Sequence, residues 1–188
     1  MSTQHAKLSA SGSHRWLACP GSIKAEEGIK DKQSPHAAEG SMAHELAELV
    51  LEQGGSAFDW EGKHLIEWNA EPVTREMAEY IQEYVDFVAS VGGTQMYEEQ
   101  VDFSPWVPDG FGTSDVITFE GDTMRIIDLK YGKGIKVYAK DNPQGVLYAL
   151  GALNEYGDFY DFERIIITIH QPRLDHIAEW EINKDALL

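Results

Sequence analysis

The stretch GTSDVITFEGDTMRIIDLK, residues 112–130, decides the fold. Apolar and β-branched residues dominate on both sides of Gly121-Asp122, and this pair suits a two-residue hairpin turn with glycine at its first position. The stretch therefore predicts two antiparallel strands, 112–120 and 123–130, joined by a tight turn.

The predicted register of this hairpin brings two carboxylates together. Counting outward from the turn places Asp115 directly opposite Asp128, with Cβ atoms about 4.5–5.5 Å apart on one face of the sheet. Lys130 lies two residues beyond Asp128 and points to the same side. Opposed like charges destabilise a sheet, which favours a divalent cation between them, because Mg²⁺ takes carboxylate, carbonyl and water oxygens. A solvated Asp–Asp–Lys cluster in salt-bridge balance is the alternative, and the spacing leaves both open.

Outside the hairpin, apolar periodicity predicts three long helices and three more strands. The helices are placed at about 40–53, at 74–91 with Thr74 as N-cap, and from Asn142-Pro143 to Tyr156. The strands are placed at 95–103, 164–171 and 177–182. Residues 1–36 are predicted to be irregular with one short helix, and the segment through Asn69 is compatible with a short hairpin. This order of elements predicts a single α/β (α+β) domain over 1–188, with a mainly helical lead region, 1–93, and a sheet core, 94–188.

Composition narrows the class of protein. One cysteine, Cys19, excludes an internal disulfide framework and a multi-cysteine zinc or iron–sulfur site supplied by this chain alone. The N-terminus is polar, and no apolar run approaches the roughly 20 residues of a membrane helix. We therefore expect a soluble intracellular protein that does not bind a membrane.

The charge of the chain is strongly acidic but unevenly spread. It has 15 basic and 32 acidic residues, a formal net charge of −17, so on average it should repel nucleic acid. A third of the positive charge nevertheless lies in one stretch that has a single acidic residue; its basic members are Arg125, Lys130, Lys133, Lys136 and Lys140. A solvated basic loop and a local nucleic-acid contact are both compatible with this stretch.

Two further patterns lie on predicted helices. The sequence from His44 to Glu48 invites comparison with a zinc protease helix, but Glu48 occupies the position of the second histidine, which disfavours that reading. Gln144 and Tyr148 lie four residues apart and so share one helix face. A packed or surface histidine and a polar helix stripe are the ordinary structural explanations of these patterns.

Taken together, four short motifs resemble the RecB-type branch of the PD-(D/E)XK nuclease superfamily. They are, in chain order, helical His44, Gly112-Thr113-Ser114-Asp115, Ile127-Asp128-Leu129-Lys130 and Gln144-x-x-x-Tyr148. Residues 15–22, RWLACPGS, and 171–176, QPRLDH, further resemble an uncharacterised phage-encoded family within this branch. The resemblance covers nearly the whole chain and implies a restriction-endonuclease-like core.

The resemblance also implies roles for individual residues. Metal ligands would be His44, Asp115, Asp128 and the backbone carbonyl of Leu129. Lys130 would be the catalytic lysine beside the catalytic Asp115 and Asp128, and Gln144 and Tyr148 would contact DNA or brace the site. Glu98 is a candidate further acidic residue, although the adjacent Glu99 is not excluded by the sequence.

The expected function is that of a metal-dependent DNA nuclease, with an exonuclease favoured, in phage or bacterial DNA recombination or processing. The expected cofactor is Mg²⁺ or Mn²⁺, without an iron–sulfur cluster, and Lys133, Lys136 and Lys140 would bind the DNA backbone. DNA is the expected partner, a phage single-strand annealing or recombination protein is a second candidate, and an oligomer is left open. The expected location is the cytoplasm of a bacterial cell, with a phage or prophage gene. The alternatives are a non-catalytic DNA-end-binding or protein-interaction module on the same fold, and a metal-stabilised structural protein.

Overall fold

A five-stranded mixed sheet organises the chain, which a computed structural model describes over residues 6–27, 34–65 and 71–188. The strands lie side by side in chain order: β1 Thr94–Asp102, β2 Phe111–Glu120, β3 Thr123–Leu129, β4 Arg164–Gln171 and β5 His176–Asn183. All neighbouring pairs are antiparallel except β3 and β4, which are parallel. A parallel pair needs a crossover connection, and a helix supplies it here.

Six α-helices accompany this sheet within the described residues: α1 Ser13–Ala18, α2 Gly21–Ala25, α3 Pro35–Gln53, α4 Arg75–Val91, α5 Pro143–Tyr156 and α6 Lys184–Leu187. Short 3₁₀ helices lie at Ala57–Trp60 and Pro172–Leu174. The predicted N-cap Thr74 is confirmed, since its hydroxyl accepts from the backbone N–H of Met77. The predicted start of α5 at Asn142-Pro143 is also confirmed, and the side-chain oxygen of Asn142 accepts from the backbone N–H groups of Gln144 and Gly145. The mixed α+β fold with a helical N-terminal region is thus confirmed.

The hairpin of β2 and β3 has the predicted register. Five residue pairs join the strands, from Glu120 with Thr123 at the turn to Val116 with Ile127. Gly121 has φ 59°, the left-handed conformation that a glycine-first turn requires and that a side chain would strain. The turn chemistry therefore fixes which β2 and β3 residues share a face.

Alternate side chains of the hairpin enter two different cores. Ile117 and Ile126 pack with the apolar face of α5 on one side of the sheet. Val116, Ile127 and Leu129 pack with α3 and α4 on the other side. The sheet is therefore covered on both faces, and the N-terminal end of α5 and the middle of α3 meet at one end of the hairpin.

Three sequence expectations differ from the structure. The helix predicted from about residue 40 begins at Pro35, because the Ser34 hydroxyl caps the backbone N–H of Ala37 and proline suits the first helical position. The N-terminal region has two short helices, α1 and α2, where one was predicted. Between residues 54 and 65 the structure has a 3₁₀ helix and no strand, and the rest of the expected hairpin falls on residues 66–70, outside the described residues.

A search of the described helices finds none that is both long enough and apolar enough to cross a membrane.

Candidate functional site

Three carboxylates form a row across β1, β2 and β3. The β1–β2 pairs on either side of Glu98 place it opposite Asp115, and extending the β2–β3 ladder by one residue places Asp115 opposite Asp128. The row lies at the end of the hairpin away from its turn. The structure thus brings together the two aspartates that the sequence paired and adds Glu98 to them.

The backbone distinguishes Glu98 from its neighbour Glu99. Glu98 has φ 46°, an uncommon left-handed conformation for a residue with a side chain. Glu99 instead accepts a hydrogen bond of 2.7 Å from the hydroxyl of Tyr156. Of the two glutamates, Glu98 is therefore the one that lies with the aspartates, and its part in a functional site stays a prediction.

His44 reaches the row from α3. Its Nδ1 lies 3.2 Å from Oδ1 of Asp115. One ligand atom each from His44, Glu98 and Asp115 lie within 4.8 Å of one another. One imidazole nitrogen and two carboxylate oxygens at this spacing fit a divalent cation after small side-chain rotations, and Mn²⁺ and Mg²⁺ accept such oxygen-rich donor sets.

Asp128, next to this cluster, is braced by a polar network that includes a lysine and a glutamine. The Lys130 ammonium lies 2.9 Å from Oδ2 of Asp128 and donates to Oε1 of Gln144 at 2.8 Å. The Gln144 amide donates to Oδ1 of Asp128 at 2.9 Å and also contacts the Tyr148 hydroxyl at 3.3 Å. The predicted pairing of Gln144 and Tyr148 on one face of α5 is present, and that face braces the lysine and the aspartate.

Asp115 is tied to the backbone that follows Asp128. Its Oδ2 accepts a 2.7 Å hydrogen bond from the N–H of Leu129, while its Oδ1 faces His44. The Leu129 side chain is fully buried in the core beneath α3 and α4. The position of Leu129 beside both aspartates agrees with its implied place in the site, and the role of its carbonyl stays a prediction.

The clustered charges shift the pKa values of these groups in different directions. Burial alone would lower the pKa of His44, but the carboxylates of Asp115, Asp128 and Glu98 together raise it to about 9. Burial, and then the charge of Asp115, raises the pKa of Glu98 to about 8. Burial opposes ionisation of Asp115, yet the charges of His44 and Lys130 outweigh it and lower that pKa, whereas burial raises the pKa of Asp128. Without metal, the site at neutral pH therefore holds an Asp115–His44 ion pair and a largely protonated Glu98.

The cluster opens into a cleft of about 940 Å³. One wall carries the carboxylates, Lys130 and Gln144, and the opposite wall is the α3 face that includes Ser41, Glu45 and Glu48. A second cavity of about 720 Å³ shares Ser11, Glu98 and Tyr148 with the first and extends it past β1. The reactive groups are therefore accessible to a large ligand along an extended trough.

Comparison with known proteins gives a family. The sequence profile of a family described as "Protein of unknown function (DUF2800)" matches residues 5–188. The chain belongs to the DUF2800 family. Among solved structures, a crystal structure of SSO0001 is similar at 16% sequence identity with a TM-score of 0.32, and the alignment covers 93% of this chain and 62% of that one. The DUF2800 chain thus spans about 62% of the length of that protein.

Sequence reasoning missed one polar group of this DUF2800 site. Helical periodicity places Tyr84 on the apolar face of α4, yet its buried hydroxyl has no hydrogen-bond partner among the described residues. It lines a cavity of about 10 Å³ together with His44, Glu98 and Asp115. That is about the space of one water molecule, and burial raises the pKa of Tyr84 so that its hydroxyl stays a donor. Helical periodicity could not reveal this, because a buried tyrosine hydroxyl and a buried phenyl edge give the same pattern.

The predicted DNA-binding lysines lie outside the cleft lining. Lys133, Lys136 and Lys140 are all exposed on the segment that connects β3 to α5. Arg125, which the sequence grouped with them, forms an ion pair with Glu179 on β5 and is not part of this surface. Of the five basic residues that the sequence grouped, three lysines therefore lie beside the cleft and Lys130 lies within it.

Proposed function

We propose that this protein is a metal-dependent DNA nuclease of the PD-(D/E)XK type. The observation that supports this most is the convergence of His44, Glu98 and Asp115 next to the Asp128–Lys130 pair. Acidic residues and a histidine can hold a divalent cation, and a lysine beside them can offset phosphate charge, which together suit phosphodiester hydrolysis. A cluster that served only to stabilise the fold would not need to lie in a cleft of this size.

The metal, Mn²⁺ or Mg²⁺, would be held by His44, Glu98, Asp115 and Asp128. When bound, it would supply a nucleophilic water at neutral pH and stabilise the charge that develops on the scissile phosphate. Binding would displace the protons that His44 and Glu98 hold in the metal-free protein, because ligands coordinate in their deprotonated forms.

Lys130 performs the protein's own part of the chemistry in this proposal. Its side chain is 29% exposed, and Asp128 and Gln144 fix its ammonium at the cleft wall. A fixed ammonium there offsets the charge on a phosphate oxygen without a reorganisation cost at the moment of reaction. It also donates to and orients the attacking water, whose acidity the metal would supply. Gln144 acts as a positioning residue because it holds Lys130 and Asp128 in place, and Tyr148 supports it through a contact with the Gln144 amide.

The uneven charge of the trough favours cleavage from an end. Beyond Glu98 its described lining carries Asp102 and Glu155 and no basic residue, so that part repels a phosphate backbone. The exposed lysines lie on the opposite side, after β3. A strand that enters from the lysine side meets the three lysines and Lys130 before it reaches the cluster, where a bound divalent cation would offset the carboxylates, and it would be repelled beyond it; this favours a strand end at the cluster, as in an exonuclease. An associated phage annealing or recombination protein is a further part of this proposal.

Incubation with end-labelled linear DNA and closed circular DNA, each with Mn²⁺ or Mg²⁺, tests the proposal. We expect degradation of the linear form, loss of activity in excess EDTA, and loss of activity in Asp128→Ala. Asp158→Ala is the matched control, since Asp158 is exposed beyond the other end of α5 from Gln144. Activity that survives in EDTA, or in Asp128→Ala, contradicts the nuclease. DNA binding without cleavage would support the non-catalytic alternative instead.

A further inference from the structure

The segment 131–142, which we call the lysine loop, begins and ends at the proposed active site. It follows Lys130 and precedes Pro143 and Gln144, and the Lys130 ammonium donates to the Gln144 carbonyl at 2.8 Å. Anything bound to this loop therefore lies next to the carboxylate row.

The backbone of the lysine loop is held in one conformation. The Gln171 side chain accepts from the N–H of Val137 at 2.6 Å and donates to the carbonyl of Ile135 at 3.1 Å. A ring nitrogen of His176 lies 3.0 Å from the Val137 carbonyl. Ala139 is buried against β4. These four contacts hold the loop backbone in place, and a loop that is ordered before a ligand arrives lowers the entropic cost of binding.

This ordered loop nevertheless presents two large apolar side chains to solvent. Ile135 is 84% exposed and Tyr138 is 65% exposed. The Tyr138 ring packs against His176 at 5.4 Å between centroids and at 79° to it, so the ring is oriented but largely uncovered. Lys133, Lys136 and Lys140 alternate with these two residues along the loop. Single exposed apolar residues are common, but two on a braced loop among lysines form a distinct surface.

The chemistry of this surface selects its ligand. A chain of net charge −17 concentrates three exposed ammonium groups here, so the ligand is a polyanion. An exposed aromatic ring among lysines matches a nucleic acid with unpaired bases, because a base offers its flat face only when it is not stacked in a duplex. A purely acidic peptide such as poly-glutamate would use the lysines but would leave Ile135 and Tyr138 without a partner.

We propose that the lysine loop binds single-stranded DNA, or the unpaired end of a duplex, by stacking a base on Tyr138 with Ile135 against the next nucleotide while the lysines contact phosphates. This rests on the proposed nuclease function and gives its substrate class. The loop delivers an unpaired strand to the carboxylate row, and a closed duplex is a poor ligand for it.

The test is DNA binding without divalent metal, in EDTA, so that no cleavage occurs. Fluorescence anisotropy compares a labelled 20-nucleotide strand with the same sequence as a duplex, at several salt concentrations. We expect tighter binding of the single strand. Tyr138→Ser should weaken single-strand binding about 5- to 100-fold, from the energy of one base–aromatic stack, with an unchanged salt slope. Neutralising the three lysines to glutamine should reduce the salt slope by about 2, at about 0.7 per phosphate contact.

Phe159→Ser is the matched control, because Phe159 is 79% exposed and follows the far end of α5. It should bind both DNA forms as the wild type does. Equal loss of single-strand and duplex binding in Tyr138→Ser, or no loss, overturns the stacking role but leaves the nuclease proposal intact. Equally tight binding of poly-glutamate to the wild type also overturns the stacking role. A wild type that binds neither DNA form in EDTA overturns the role of the lysine loop, whereas the proposed function itself is overturned only if linear DNA is also not cleaved with Mn²⁺ or Mg²⁺.

Discussion

The two aspartates of the row should respond differently when their charge is removed, although the predicted hairpin register gives them equivalent, opposed positions. Repulsion between them suggests that Asp→Asn at either position is neutral or stabilising without metal. The structure changes this expectation for Asp115, whose carboxylate pairs with His44 and accepts from the N–H of Leu129. Asp115→Asn loses the ion pair and weakens a charge-assisted hydrogen bond, at a cost of about 1–2 kcal/mol. Asp128→Asn gives up the ion pair with Lys130, but burial outweighs that pair and raises the pKa of Asp128, so we expect this variant to match or exceed the stability of the wild type.

The size of the metal effect follows from mass action. At a free Mn²⁺ concentration 100 times Kd, binding stabilises the folded state by about 2.7 kcal/mol, which raises Tm by about 5–11 °C for a chain of this length. A variant whose Kd rises 100-fold retains only about 0.4 kcal/mol at the same concentration, a shift of about 1–2 °C. Asp115→Asn should show this small shift. Without metal, its Tm should lie about 2–8 °C below that of the wild type.

Thermal melts with and without Mn²⁺, on the same preparations used for cleavage, measure both effects. Asp158→Asn is the control for loss of one negative charge from the chain and should keep the full metal shift. Lys130→Ala should keep or increase the metal shift while cleavage falls by about 10²–10⁴-fold, because the lysine acts on the reaction and is not a ligand. The reasoning is refuted if Asp115→Asn keeps the full Mn²⁺ shift, and the role of Lys130 is refuted if Lys130→Ala loses the shift together with activity.

Three further predictions concern groups around the row. Tyr84→Phe removes a buried hydroxyl without a partner, so the stability of the metal-free protein should be unchanged or higher. If that hydroxyl holds a metal-bound water, calorimetry should show an affinity for Mn²⁺ about tenfold lower. Unchanged affinity argues against this role of Tyr84. Gly145→Ala should lower Tm, because a Cβ there would lie 2.4 Å from Ile167, whereas Gly40→Ala, with nothing within 4 Å, should stabilise α3 by about 0.5–1 kcal/mol. Burial lowers the pKa of His170 from 6.5 to about 4, so between these pH values the folded state binds fewer protons than the unfolded state. The free energy of unfolding should therefore fall as the pH drops from 6.5 to 4, by at most about 3 kcal/mol. Urea unfolding of His170→Leu should show a smaller fall over the same pH range, and an equal fall would exclude His170 as its source.

The structure also shows how far local sequence patterns could predict the site. The bounds of α5 and β4 and the register of β2 with β3 follow from signals within a few residues: proline after Asn142, an isoleucine run and a glycine-first turn. Asp115 and Asp128 are 13 residues apart around one turn, so alternation of side chains was enough to pair them. The start of α3 was predicted too late because its cap, Ser34, precedes the apolar repeat on which the prediction relied.

The sequence by itself determined the elements, the hairpin register and the opposed aspartates, because turn chemistry, capping and periodicity act over short distances along the chain. Only the tertiary structure decided which groups complete the site. His44 meets Asp115 through the packing of α3 on the sheet. Glu98, and not Glu99, belongs to the row because the register of β1 with β2 places it opposite Asp115. Tyr84 turns its hydroxyl inward from α4. These contacts join residues far apart in sequence, and their geometry depends on how whole helices pack on the sheet, which no local pattern encodes.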